Sequence, residues 1–206
     1  CHYGATAIVL ARLGARVVGV DVDDRAVRLG RENINRYGLT EKIELRHVSD
    51  TRRLPFPDAS FDVVSCNSVL EYIPDTLLPG VLSEIDRLLA PAGILIVAGT
   101  SNRLWPREVH SGRWGVNWIP DGVYSLLGQK KPRRGISPFS ILRAMRGYCD
   151  IGIQHGGRAL LEARGKMKLS RIALRASRIA SPWLARVGVS PGIFASSFIL
   201  VLKKPE

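Results

Sequence analysis

Three shortages narrow what this sequence can be: little cysteine, few acids in the second half, and no long apolar run. The three cysteines, Cys1, Cys66 and Cys149, lie far apart, with no Cys-x-x-Cys pair and no Cys/His cluster at metal-ligand spacing. Neither a disulfide framework nor a metal centre is therefore expected, and a reducing, cytoplasmic setting is. No stretch approaches the roughly 18 consecutive apolar residues of a membrane span. The opening residues lack the charged, apolar and small-residue regions of a secretory signal. Internal repeats, low-complexity tracts and a Tyr-x-x-x-Lys pair are also absent.

The formal net charge of +12 is spread unevenly. Residues 1–100 hold 11 Lys+Arg against 13 Asp+Glu, residues 101–150 hold 9 against 3, and residues 151–206 hold 10 against 2. The basicity belongs to the second half, where it favours an anionic partner: an acidic small molecule, an anionic membrane surface or RNA. With 206 residues and 46% hydrophobic content, one domain is the simplest organisation. It divides into a cofactor-type half (1–100), an insertion or lid (101–135) and a basic substrate half (136–206).

The opening reads turn, helix, strand, acid. Cys1-His2-Tyr3-Gly4 makes a turn, Ala5 to Leu13 a helix stopped by Gly14, and Arg16 to Val20 a buried parallel strand ending in Asp21. This is the second half of a nucleotide-binding βαβ unit, and a preceding first strand is expected to be missing from the chain. The pattern then predicts a helix over Arg25 to Tyr37, with Asp23 and Asp24 as charges at its N-terminus, and a strand over Ile43 to Val48. A third strand spans Phe61 to Asn67. A helix over Asp75 to Leu89 is stopped by Pro91 and Gly93, and a strand follows over Gly93 to Thr100. Such alternation predicts a doubly wound, mostly parallel α/β sheet.

Beyond Thr100 the rhythm breaks. The insertion carries Trp105, Trp114 and Trp118, which either roof an apolar pocket or anchor the loop, and ends in the basic run Lys130 to Arg134. Ser137-Pro138 supplies an N-cap and first-turn proline for a helix to about Arg146, and a strand is expected over Tyr148 to Gln154. Lys166 to Val187 reads as a basic amphipathic helix interrupted near Pro182. Its apolar face is Leu169, Ile172, Ala176, Ile179 and Trp183, with Lys168, Arg171, Arg175 and Arg178 beside it. That face either packs on the sheet or lies on an anionic membrane with Trp183 at the interface. RNA is the weaker partner, because no RNA-binding module or regular basic-aromatic interleaving is present. Phe194 to Leu202 closes the chain as a strand.

In order and spacing, these motifs resemble the class I S-adenosylmethionine-dependent methyltransferases, in particular the type 11 small-molecule branch. Residues 1 to about 100 carry the likeness. Gly4 matches the last glycine of the family's Gly-x-Gly-x-Gly turn, while His2 replaces the middle one. The segment Leu54 to Val64, LPFPDASFDVV, matches the family's proline loop. The resemblance implies a Rossmann-like, seven-stranded sheet whose last strand is antiparallel. It also implies S-adenosylmethionine as cofactor, held by His2 and Gly4 at the turn, Asp21 on the ribose hydroxyls, Ser49 and Asp50 at the adenine, and Asn67 in the segment Cys66 to Tyr72, which occupies the family's fourth motif. The family has histidine where Tyr72 stands, so that residue's acid-base role does not carry over.

Methyl transfer to a small, lipid-like or anionic acceptor needs alignment and water exclusion more than a base. If the acceptor is a hydroxyl, His110 is the candidate base, ahead of Glu108 and Tyr72. Two rivals remain open: an NAD(P)-dependent oxidoreductase, and a non-catalytic cofactor-binding or interaction module.

Overall fold

A computed structural model describes residues 1–127, 134–165 and 171–206. The chain divides into two units, Cys1–Pro55 and Phe56–Glu206, each taken by itself.

In the first unit, helix α1 (Ala5–Arg12) starts at Gly4, whose φ of +79° is one that L side chains rarely adopt. Strand β1 (Val17–Asp21) follows, then helix α2 (Asp24–Arg36) and strand β2 (Ile43–His47). The Asp23 carboxylate, expected only as a charge at the helix N-terminus, accepts from the amides of Arg25 and Ala26, at 2.9 and 3.3 Å, and so caps α2. Strands β1 and β2 pair in parallel, from Val17 opposite Ile43 to Asp21 opposite His47. Ile8, Ala11, Val27, Ile34 and Leu45 fill the space between helices and strands. Gly30 is needed for that packing, since a Cβ there would lie 2.5 Å from Leu45 Cδ1 and 3.2 Å from the His2 carbonyl.

The second unit opens with β3 (Phe61–Asn67), a 3-10 turn at Leu70–Tyr72, α3 (Leu78–Leu88) and β4 (Leu89–Ser101). After these come α4 (Asp121–Leu126), α5 (Pro138–Ala144), β5 (Cys149–Asp150), α6 (Gln154–Gly165), α7 (Arg171–Arg186) and β6 (Ser197–Lys203). The sheet order is β3-β4-β6-β5, with β3 parallel to β4 and β6 antiparallel to both its neighbours. Its core includes the fully buried Leu89, Leu95, Val97, Ile141, Phe198 and Leu200.

Several sequence expectations are corrected here. The helix expected over Asp75 to Leu89 begins only at Leu78 and ends at Leu88, ahead of Pro91 and Gly93. Leu89 is already extended and pairs with Phe61, and the irregularity around Ala92, at φ +59°, lies inside the strand. The strand expected over Tyr148 to Gln154 lasts two residues. The Asp150 carboxylate accepts from the Gly152 amide at 2.8 Å and turns the chain into a 3-10 segment. Ser137 occupies the N-cap of α5 without a side-chain hydrogen bond. The insertion contains α4 and a 3-10 turn at Val116–Trp118. Of the basic amphipathic helix, Lys166 to Ser170 lie outside the described residues, as do Gly128 to Arg133.

The proline loop serves the fold. The Arg87 guanidinium, on α3, donates to the Phe56 carbonyl at 2.9 Å and to Asp58 at 2.6 Å. It also forms a two-pronged pair with the buried Glu84.

Candidate functional site

Two clusters of chemistry-bearing residues stand at C-terminal ends of parallel strands, the position where open α/β sheets bind ligands. The first lies within Cys1–Pro55. Asp21 ends β1, and its carbonyl accepts from the Val48 amide at 2.9 Å, which ties the end of β1 to the segment that leads to Ser49 and Asp50. Asp21 Oδ2 accepts from the Cys1 amino group at 2.7 Å and from the His2 amide at 2.6 Å, and Oδ1 accepts from the Asp23 amide at 3.1 Å. Burial opposes its ionisation, whereas the hydrogen bonds from the main-chain nitrogens favour the carboxylate and hold it below the ordinary range. His2 therefore reaches Asp21 through its main chain. Its φ is +50°, and its imidazole lies against Tyr3 with ring centres 3.7 Å apart.

Asp50 is exposed to a side and closed by Arg52, whose guanidinium binds both carboxylate oxygens at 2.8 to 3.1 Å while the Arg52 amide adds a bond of 2.8 Å. The arginine holds that carboxyl below its ordinary range. Ser49 is exposed.

The second cluster lies within Phe56–Glu206. Asn67 ends β3 opposite Ala98 of β4, and Gly99 follows at φ +65°. A Cβ on Gly99 would come within 2.5 Å of Ser68 Oγ and 2.9 Å of Asn67 Oδ1, so glycine lets the two strand ends close on each other. Just beyond, Glu71 Oε2 and the hydroxyls of Thr100 and Ser101 are buried without hydrogen-bond partners. Burial pushes the Glu71 carboxyl up from its ordinary range, against the lowering pull of main-chain hydrogen bonds and of His110. His110 is exposed, with its ring centre 5.9 Å from that of Tyr72. Its amide donates at 2.8 Å to the buried Glu108. Burial resists ionisation of Glu108, and the amides of His110 and Ser111 reverse this and lower its pKa, so Glu108 organises the loop that carries His110.

Sequence reasoning missed Glu71, Thr100 and Ser101. The one available signal was their position at or shortly beyond the ends of two predicted strands. The tryptophans do not anchor the insertion, since Trp114 and Trp118 are 73% and 62% exposed. The anchors are polar: Asn102 donates to the carbonyls of Ile193 and Ala195 at 2.7 and 2.8 Å, and Asn117 to that of Trp105 at 2.7 Å. Arg134, the last residue of the basic run, is buried, donates to the Ile119 carbonyl and lies 5.6 Å over the Tyr124 ring. All three cysteines are free, and burial pushes the Cys66 thiol up to about 12, which leaves it unreactive. Among the described residues, no group of three or more His, Cys, Asp or Glu could hold a metal ion, and no helix is long and apolar enough to cross a membrane.

Residues 1–97 match the family described as a methyltransferase domain. That stretch is similar to the class I S-adenosylmethionine-dependent methyltransferases. Among curated methyltransferases, it is 30% identical over 147 residues to a ubiquinone biosynthesis O-methyltransferase of Methylocella silvestris, covering 70% of this chain and 53% of that one. It is 32% identical over 97 residues to the sterol 4-C-methyltransferase strm-1 of Caenorhabditis elegans, covering 47% and 28%. The chain thus spans about half, or less, of the length of the curated relatives it matches. Among solved structures, geranyl diphosphate C-methyltransferase from Streptomyces coelicolor A3(2) covers 100% of this chain and 68% of its own, with a TM-score of 0.52 at 16% identity. That likeness shows the fold, an α/β Rossmann-like one.

The methyltransferase cofactor, S-adenosylmethionine, offers a ribose diol and an adenine amine, both donors. The residues of the first unit fit it: a carboxylate presents about four acceptor positions, and Asp21 uses three. Asp50 fits as an acceptor once Arg52 shares it.

Proposed function

We propose that the chain transfers a methyl group from S-adenosylmethionine to a small acceptor of lipid-like or anionic character. The observation that carries this reading is the pair of carboxylates, Asp21 and Asp50, at the ends of adjacent parallel strands inside the stretch that matches the methyltransferase family. Asp21 receives one ribose hydroxyl at the remaining acceptor position of Oδ1, and Asp50 the adenine amine, with exposed Ser49 alongside. His2 contributes its main chain, and Gly4 the left-handed turn that opens α1. When bound, the cofactor supplies a methyl group already activated by a sulfonium.

The described strands are read as members of the family's seven-stranded sheet. In the second unit, Asn67 presents an amide at a strand end. Glu71 and His110 are the groups able to take a proton from a hydroxyl acceptor, since both lie beside the unpartnered hydroxyls of Thr100 and Ser101 or beside Tyr72. The excess of basic side chains in residues 151–206 favours an anionic or membrane-borne acceptor over RNA, and makes contact with an anionic membrane peripheral.

Calorimetry on the full-length protein tests the reading. S-adenosylmethionine and its demethylated product are expected to bind, and Asp21→Ala to abolish binding. Binding of NAD in their place would return the chain to the oxidoreductases. Cofactor affinity with no methylated product from any cell extract would leave a binding module.

A further inference from the structure

Helix α7 is amphipathic in the wrong sense for a helix that merely covers a core. Its docked side is Ser181, fully buried, whose hydroxyl donates to the Gly156 carbonyl at 2.6 Å, with Leu184 and Ala185 half-buried beside it. Opposite, at helical spacing, Ile179, Trp183 and Val187 are 66%, 66% and 72% exposed. The expectation that this face packs on the sheet is therefore corrected for Ile179 and Trp183. Packing uses the small polar Ser181 instead, because Gly157 lets α6 approach so closely that a Cβ there would lie 2.6 Å from Ser181 Oγ.

Arginines border the exposed stripe. Arg175 and Arg186 fall on its flank by spacing, both exposed, and the Arg186 guanidinium lies 5.0 Å over the Trp183 ring. Farther round, exposed Arg178 lines a cleft with Arg158 of α6. That cleft also holds Glu162, one of 2 acidic side chains against 10 basic ones in residues 151–206, so the positive charge of this region is only partly offset.

We infer that α7 lies in the interface of an anionic bilayer, with Ile179, Trp183 and Val187 entering the acyl boundary and Arg175, Arg178 and Arg186 on the lipid phosphates. Three features select this occupant. An exposed apolar stripe flanked by arginine has complementary chemistry in an anionic lipid surface, which offers both an apolar layer and negative charge. Trp is suited to that boundary by an apolar ring with one polar edge. RNA would engage the arginines and leave the apolar stripe exposed to water. The inference rests on the reading of the basic half as membrane-peripheral, not on methyl transfer.

Sedimentation of the full chain with phosphatidylcholine vesicles, with and without about 30% phosphatidylglycerol, tests it. Binding is expected only to the anionic vesicles. The double variants Ile179→Ser/Trp183→Ser and Arg175→Gln/Arg186→Gln should each weaken it by about tenfold or more, with unchanged circular dichroism because all four side chains are exposed. Binding that high salt abolishes but Ile179→Ser/Trp183→Ser leaves intact would place the membrane contact elsewhere and overturn the role of α7 alone. No binding by a monomeric chain would overturn the membrane reading as well. A dimer that the same apolar variant dissolves, or RNA retention that only the arginine variant loses, would reassign the face to a second copy or to nucleic acid and overturn the inference.

Discussion

The ring of His110 lies 5.9 Å from that of Tyr72 and is tilted 60° to it. Tyr72 stands where the family's pattern has histidine, so the insertion returns an imidazole beside the position from which the strand-end motif has lost one. With a hydroxyl acceptor, His110→Ala is expected to lower kcat by about 10²-fold with cofactor affinity unchanged. Adding Tyr72→His should restore part of the loss. Steady-state kinetics with calorimetry checks both.

Glu71 is held above its ordinary range by burial, so ionising it costs stability as pH rises past its unfolded value. Glu71→Gln is expected to remove that component, making the urea midpoint less dependent on pH on the alkaline side of about 4.5. Parallel denaturation series of the two proteins would show it.

Asp21 has the opposite sign. Main-chain hydrogen bonds hold its folded pKa below the ordinary carboxylate value, so its contribution is complete above about 4 and is lost as pH falls below that. Asp21→Asn should lower stability at pH 7 by about 1–2 kcal/mol and flatten acid unfolding across that window. A variant as acid-sensitive as the parent would show that other carboxylates govern the transition.

Arg52 occupies both oxygens of Asp50, the acceptor proposed for the adenine amine. Arg52→Ala is expected to tighten S-adenosylmethionine binding a few-fold, because the cofactor no longer competes with a guanidinium. Weaker binding in calorimetry would mean that the arginine itself holds the cofactor.

Arg87 joins the proline loop to α3 through Phe56, Asp58 and Glu84. Arg87→Ala should lower the thermal midpoint by several degrees. Arg87→Lys should recover little of it, since an ammonium cannot reproduce a planar fork on three acceptors. Calorimetric scanning decides this, with cofactor binding to the first unit as a control.

Local pattern was sufficient for much of this protein. Apolar runs between glycine and proline signals made β1, β2 and β3 legible, and the place of Asp23 before a periodic stretch marked it as a charge at the start of α2. Asp21 and Asp50 were legible because a carboxylate at a strand end is a local fact. Tertiary structure decided the rest. Pairing with Phe61 drew Leu89 into the strand ahead of Pro91 and Gly93, against the local stop signals. Glu71, Thr100 and Ser101 became candidates only once burial left them without partners, whereas His110 was a candidate from the sequence and the fold of the insertion set it beside Tyr72. The amphipathic pattern of α7 was plain in the sequence, but periodicity reports that a helix has two faces and not which one meets a neighbour. Close approach at Gly157 settled that by docking the Ser181 side, and it left Trp183 facing water.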